Sequence, residues 1–292
     1  MKHLIPLALI VTSLLLSGCN TTGLKIGSLD VGALVDSGTA LWDANQIDEP
    51  QEIQLGQNMS AALLGTRPLS DNRELNIYVN QVGLLLASHS ERPHLPWRFG
   101  VINSSAINAF AAPGGYVFIT TAMLTELNDE AELAAVLAHE IIHVTAMHHL
   151  KHLQDHALRN ALTETVFVSA HAYQSNTGAS ASKQQYRQWA KTITDSAHEL
   201  YTQGLSREDE FFADQQALNL VVKAGYDPFA MLANLQRLAA IAPDDSALAL
   251  LYQTHPTADE RLQQLFEKMG SFESISGQSL ASRFERTVHA QQ

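Results

Sequence analysis

The chain has 292 residues, 46% of them hydrophobic, enough for one large domain or two modest ones with a sizeable core. Its formal charge is -12, which excludes the basic footprint expected of a nucleic-acid-binding protein. The single cysteine, Cys19, excludes an intramolecular disulfide.

The first element is a leader. "MKHLIPLALIVTSLLLSGCN" begins with a positive charge at Lys2, runs apolar from Leu4 to Leu16 and closes on small residues, the pattern of a secretory signal. Leu16-Ser17-Gly18-Cys19 resembles a bacterial lipobox. That resemblance implies a signal peptide over 1–18, a lipid anchor on Cys19, a tether over 19–48 and, with Asn20 next, an outer-membrane lipoprotein facing the periplasm of a Gram-negative envelope. Gly, Thr, Ser and Asp dominate the tether, which should hold no more than marginal helix.

Helical spacing follows over 50–64 and 71–90, then "RPHLPW" breaks the pattern. A strand is expected over 97–103. Pro113-Gly114-Gly115 marks a turn between two more, over 107–112 and 116–120. "NDEAELAAVLAHEIIHVTAMHHLKHL" reads as a long helix, with Asp129 and Glu132 at capping-box spacing and a continuation to about residue 170. Residues 175–182 read as a loop and 183–203 as helix, ended by Gly204. The next helix starts at Ser206 as N-cap and stops at Gly225. Asp227-Pro228 opens another, to about 241, and a final one covers 257–269. The last twenty residues read as a weakly ordered tail.

Chemistry concentrates in His139-Glu140-Ile141-Ile142-His143. Residues i and i+4 of a helix share a face, Cβ atoms about 6 Å apart, so both imidazoles can meet one metal ion. Zinc accepts such nitrogens and lowers the pKa of a bound water to about 7; Glu140, one step round the helix, is placed to take the proton. A catalytic zinc needs a third ligand. No histidine stands at a suitable short spacing, so an acid from another helix is required. Glu210 and Asp214 lie at i, i+4: Glu210 can ligate while Asp214 bonds the far nitrogen of a ligand histidine. Glu208 and Asp209 compete, but their angular positions and the pairing with Asp214 favour Glu210. His148, His149, His152 and His156 spread round their helix and read as a solvated or partly buried face rather than a second metal site.

Four stretches occur in one order: "NAFAAPGGYVFITT", "AHEIIHVTAMHH", "SREDEFFAD" and "THPTADERL". Together they resemble the gluzincin metalloproteases, the family of the CAAX prenyl endopeptidase, HtpX and the periplasmic proteases BepA and LoiP. The resemblance implies an α+β, predominantly α-helical, zincin-like domain over 49–270 with a small sheet, followed by a tail over 271–292. It implies one Zn²⁺ per chain on His139, His143 and Glu210, Glu140 as catalytic base and Asp214 as supporting acid. An edge strand beginning at Asn108, with Ala109 and Phe110, would hold an extended polypeptide. His255 matches a loop histidine over the active site, which would either block the open metal position or stabilise the oxyanion. His148 matches a histidine with a structural role.

The implied function is a zinc endopeptidase of envelope protein quality control, acting on misfolded or assembling outer-membrane proteins. The alternative is a chaperone-like assembly factor that holds polypeptide with little cutting. The chain departs from the family in showing neither transmembrane helices nor the helical repeats of BepA, and in having Met147 where a basic residue is frequent.

Overall fold

The computed structural model describes residues 25–26, 29–30, 47–155, 204–241, 245–272 and 274–288. The expected leader with Cys19, the loop at 175–182, the helix at 183–203 and His156 lie outside these residues. The chain divides into two units, Met1–Gln46 and Ile47–Gln292. In the first, Lys25–Ile26 pairs antiparallel with Leu29–Asp30, so the described part of the expected tether is a minimal strand pair rather than helix.

The second unit opens with α1, Glu49–Thr66. Asp48 caps it through a reciprocal bond with Gln51, and Pro50 occupies the first turn, where its missing N–H costs nothing. Helix α2, Arg73–Ser88, is capped by Asn72 and buries Leu75, Tyr78, Val79, Val82 and Leu86. Gly83 permits α2 to lie directly on the ring of Phe99: a Cβ there would come within 2.3 Å of it.

Three strands form the sheet: β1, Arg98–Ile102; β2, Ala109–Ala112; and β3, Tyr116–Thr120. Their order is β1-β3-β2, with β1 parallel and β2 antiparallel to β3. The two edges differ. At β1, Phe99 N–H and Val101 N–H donate to the side chains of Asn80 and Asn76 on α2, and the Val101 carbonyl accepts from Ser70. That edge is therefore capped, which blocks further strand pairing. Strand β2 forms the other edge.

Short α3, Thr121–Glu126, leads into α4, Glu130–Thr145, which is buried along all but its last residue and packs against the sheet and against α2. Asp129 caps α4 by accepting from Glu132 N–H, while the Glu132 carboxylate accepts from Asn128 N–H, one residue outside the usual reciprocal bond. The expected long helix is broken: α4 stops at Thr145, Met147 takes a left-handed φ of 58°, and helix resumes over 148–155, beyond which the expected continuation to about residue 170 lies outside the described residues.

Helix α5, Arg207–Lys223, is capped by Ser206 and packs along α4. Then come α6, Phe229–Ala240; α7, Ala249–Thr254; and α8, Ala258–Met269. The expectation of a weakly ordered C-terminus is also corrected. Helix α9, Ala281–Val288, buries Phe284 completely and packs on α2 and α4. Its Arg283 pairs with the buried Glu130 at the start of α4, which also accepts hydrogen bonds from Tyr78 and Tyr226 at 2.7 Å each. Among the described residues, no helix is long and apolar enough to cross a membrane.

Candidate metal centre

Helix α4 presents His139 and His143 from successive turns, with their Nε2 atoms 3.0 Å apart. Helix α5 brings Glu210 against both: one carboxylate oxygen is 3.5 Å from His139 Nε2, the other 3.4 Å from His143 Nε2. All three side chains are buried, and neither Glu210 oxygen has a hydrogen-bond partner. A buried carboxylate of that kind is costly unless a cation satisfies it. Tetrahedral ligation at 2.0–2.1 Å implies donor separations of about 3.3 Å, close to those observed. His255, at the end of α7, completes a quartet whose donor atoms all lie within 4.8 Å of one another.

The remaining ring nitrogens are held from behind. Asp214 Oδ1 lies 2.8 Å from His139 Nδ1. His143 Nδ1 lies 3.0 Å from His148 Nδ1, and His148 Nε2 lies 3.4 Å from Asp209. The backbone reversal at Met147 turns His148 back toward α4. Such partners fix ring orientation and tautomer. Behind Asp214 sits Arg261 of α8, buried, donating through Nε at 2.9 Å and Nη2 at 2.6 Å. Arg261 is a functional residue that the sequence reading missed. "DERLQQLF" looks like a solvated helix face, and the arginine six residues after His255 was the available signal.

Burial and Arg261 oppose protonation of His139, but Asp214 and Glu210 outweigh them and lift its pKa to about 9. His143 moves the other way, pushed well down by burial and by the surrounding imidazoles. Burial would raise Asp214; the Arg261 guanidinium overcomes it and holds that carboxyl well below the usual range. The Glu210 carboxylate leaves a demand for positive charge at the point where the Nε2 atoms converge, which a divalent cation would answer.

Glu140 is buried beside the quartet, its Oε1 3.7 Å from His255 Nε2. Two cavities adjoin it. The smaller is bordered by Ala109, Phe110, Ala111, His149, Leu205 and Thr254. The larger is bordered by Ala109, Met123, Val136, Met231, Leu235 and Leu251. Of the expected polypeptide-holding residues, Ala109 borders both cavities and Phe110 the first. Asn108 borders neither: fully buried, it accepts from Ala109 N–H through Oδ1, and its backbone interlocks with Thr120.

A helix carrying two histidines and a glutamate, an acidic donor from a second helix and an adjoining strand edge define a zincin-like metallopeptidase domain. The model of peptidase family M48 matches residues 73–269, and the chain belongs to that family of metalloproteases. It is 33% identical over 234 residues to a beta-barrel assembly-enhancing protease of Escherichia coli O157:H7, covering 78% of this chain and 45% of the relative. Identity to the mitochondrial metalloendopeptidase OMA1 of Schizosaccharomyces pombe is 29% over 207 residues, covering 70% of this chain and 56% of that one. Identity to metalloprotease YcaL of Escherichia coli K12 is 22% over 270 residues, covering 91% and 96%. The chain therefore spans about half the length of the beta-barrel assembly-enhancing protease it matches.

Proposed function

We propose that the protein is a zinc endopeptidase that cuts polypeptides in the Gram-negative cell envelope, as part of protein quality control. The observation that carries this reading is the buried Glu210 carboxylate, neither oxygen hydrogen-bonded, facing the Nε2 atoms of His139 and His143. Three donors of this type, two nitrogens and one carboxylate, suit zinc. Zinc there would supply Lewis acidity toward a carbonyl and make a water easier to ionise. The rest falls to the chain. Glu140 takes the proton from the attacking water and returns it to the leaving amine. Asp214 with Arg261, and His148 with Asp209, keep the two imidazoles aimed. Strand β2, whose Ala109, Phe110 and Ala111 border the smaller cavity, is the edge with which an extended substrate would pair.

Assignment of the substrates to misfolded or assembling outer-membrane proteins rests on the name of the beta-barrel assembly-enhancing relative. The lipobox-like Leu16-Ser17-Gly18-Cys19 supports a signal peptide over 1–18, a lipid anchor on Cys19 and a periplasm-facing outer-membrane location, with the peptidase domain over 49–270. His255 supports a second reading. As a fourth donor it would close the position that a catalytic metal keeps open, and the protein would then hold polypeptide without cutting it.

Zinc content and casein cleavage, measured side by side on the protein and its Glu140→Gln variant, test the proposal. One zinc per chain in both, with cleavage only in the parent, is the expected result. Absence of zinc from both would overturn it.

A further inference from the structure

The ion pair of Glu52 and Arg92 has no part in the centre described above. Glu52, on α1, is buried. Arg92, from the "RPHLPW" break before β1, donates through Nη1 to its Oε1 at 3.0 Å and through Nη2 to its Oε2 at 2.7 Å. Taking two charges out of water can cost more than their attraction returns, and an apolar pair of like volume often holds a fold as well. What an apolar pair lacks is an acceptor. Oε1 of Glu52 also accepts from the backbone N–H of Gly114, at 3.0 Å, in the turn that joins β2 to β3. The carbonyl of Arg92 accepts from Trp97 Nε1 at 3.0 Å, just before β1. One buried pair thus ties α1 to the turn of the hairpin and to the start of the third strand.

The turn also meets α1 backbone to backbone. A Cβ at Gly56 would fall 1.8 Å from the Pro113 carbonyl oxygen. Leu55 and Met59, on the same face of α1, pack with Ala112, Leu150 and Leu153. As the edge strand, β2 has one strand neighbour to fix its place, and α1 adds a second hold at the turn. From Gly114 to Ala111, which borders the smaller cavity, is about 10 Å of extended chain. Over so short a run a shift of the turn is carried along the strand. Building on the peptidase reading, the geometry points to Glu52 as a positioning residue. Through Gly114 it sets where β2 lies beside the metal centre, and so how tightly polypeptide is held there. His139, Glu140, His143 and Glu210 stand on α4 and α5, and the hydrogen bonds of the Glu52 side chain go to neither helix. Losing that side chain should weaken the hold on polypeptide and spare the chemical step, a rise in KM with kcat unchanged.

The test uses the full chain. Combining Glu52→Met with Arg92→Met replaces both charges by apolar side chains, so the packing stays and the acceptor for Gly114 goes. Glu52→Gln keeps an oxygen for that N–H. Casein cleavage gives kcat and KM, with zinc content and the urea midpoint measured beside them. The expected KM is about tenfold higher in the double variant, the effect of one hydrogen bond to a charged group, and within about twofold of the parent in Glu52→Gln. Zinc content, urea midpoint and kcat should match the parent in both. Amide hydrogen exchange should quicken at Gly114 and in β2 of the double variant and stay unchanged in α4. A parental KM in the double variant overturns the proposal, as does a fall in kcat or zinc content without a rise in KM. Gly56→Ala displaces the same turn and leaves the ion pair whole. It should raise KM likewise, and a parental KM there overturns the proposal even where the double variant fails to fold. Failure of the unmutated protein to cut casein would count against the peptidase reading alone. The Kd of labelled casein, read by fluorescence anisotropy in the Glu140→Gln background, then replaces KM and decides the role of Glu52.

Discussion

Arg261 grips Asp214 with two hydrogen bonds, of 2.9 and 2.6 Å, and the same guanidinium lies 3.3 Å from the Nδ1 of His139. The pair is buried, so neither charge has water to fall back on. Arg261→Met should destabilise the fold by about 3–5 kcal/mol, because it removes the cation that balances a buried carboxylate. It should also weaken metal affinity by about 10–100-fold through loss of His139 orientation. Arg261→Lys should recover charge without the two-pronged geometry and remain impaired. Denaturant unfolding and competitive zinc titration of the three proteins read both effects.

Glu140→Gln keeps size and loses basicity. Zinc binding should stay at one per chain while cleavage falls by at least about 10²-fold, the usual contribution of general acid–base catalysis. Metal analysis with single-turnover cleavage of a labelled polypeptide separates the two.

For His255, the position within the quartet gives the sign. His255→Ala should free one corner, leave zinc bound and raise casein cleavage several-fold. A slower enzyme with unchanged substrate affinity would assign His255 to the oxyanion instead.

The C-terminal helix makes a stability prediction. Phe284 is fully buried, and Phe284→Ala should cost about 3–5 kcal/mol, read from the urea midpoint.

Burial and the Glu130 carboxylate raise the pKa values of both Tyr78 and Tyr226 above the ordinary 10.0. Below pH 10 folded and unfolded chains hold both protons, and the full stability is present. Above it the unfolded chain releases them first, so stability falls as pH rises. Urea midpoints measured from pH 8 to 11 should decline above 10, and Tyr78→Phe should flatten part of that slope.

What could be read in advance divides by distance along the chain. His139, Glu140 and His143 are local, as are Glu210 and Asp214: helical spacing alone puts the two histidines on one face with Glu140 one step round, and Glu210 with Asp214 on another. The Ser206 and Asp129 caps were legible for the same reason. Arg261 was not: its partners stand 47 and 122 residues away. Nor was the break after Thr145, since methionine is a good helix former and nothing in the sequence marks the left-handed backbone at Met147. Helix α9 has eight residues, too few to be stable alone, and owes its form to Phe284, Arg283 and the Glu130 pocket. The pairing of β1 with β3 rather than β2 left no trace in a pattern that shows only where strands begin and end.

The asparagines of α2 have a consequence for how the molecule behaves in company. A sheet with two bare margins invites copies of itself to join end to end. Here Asn76 and Asn80 seal one margin. The other, Ala109 to Ala112, is at most 4% exposed, sunk beside α4. On the peptidase reading, that depth suits one extended strand of substrate rather than the whole sheet of a folded neighbour.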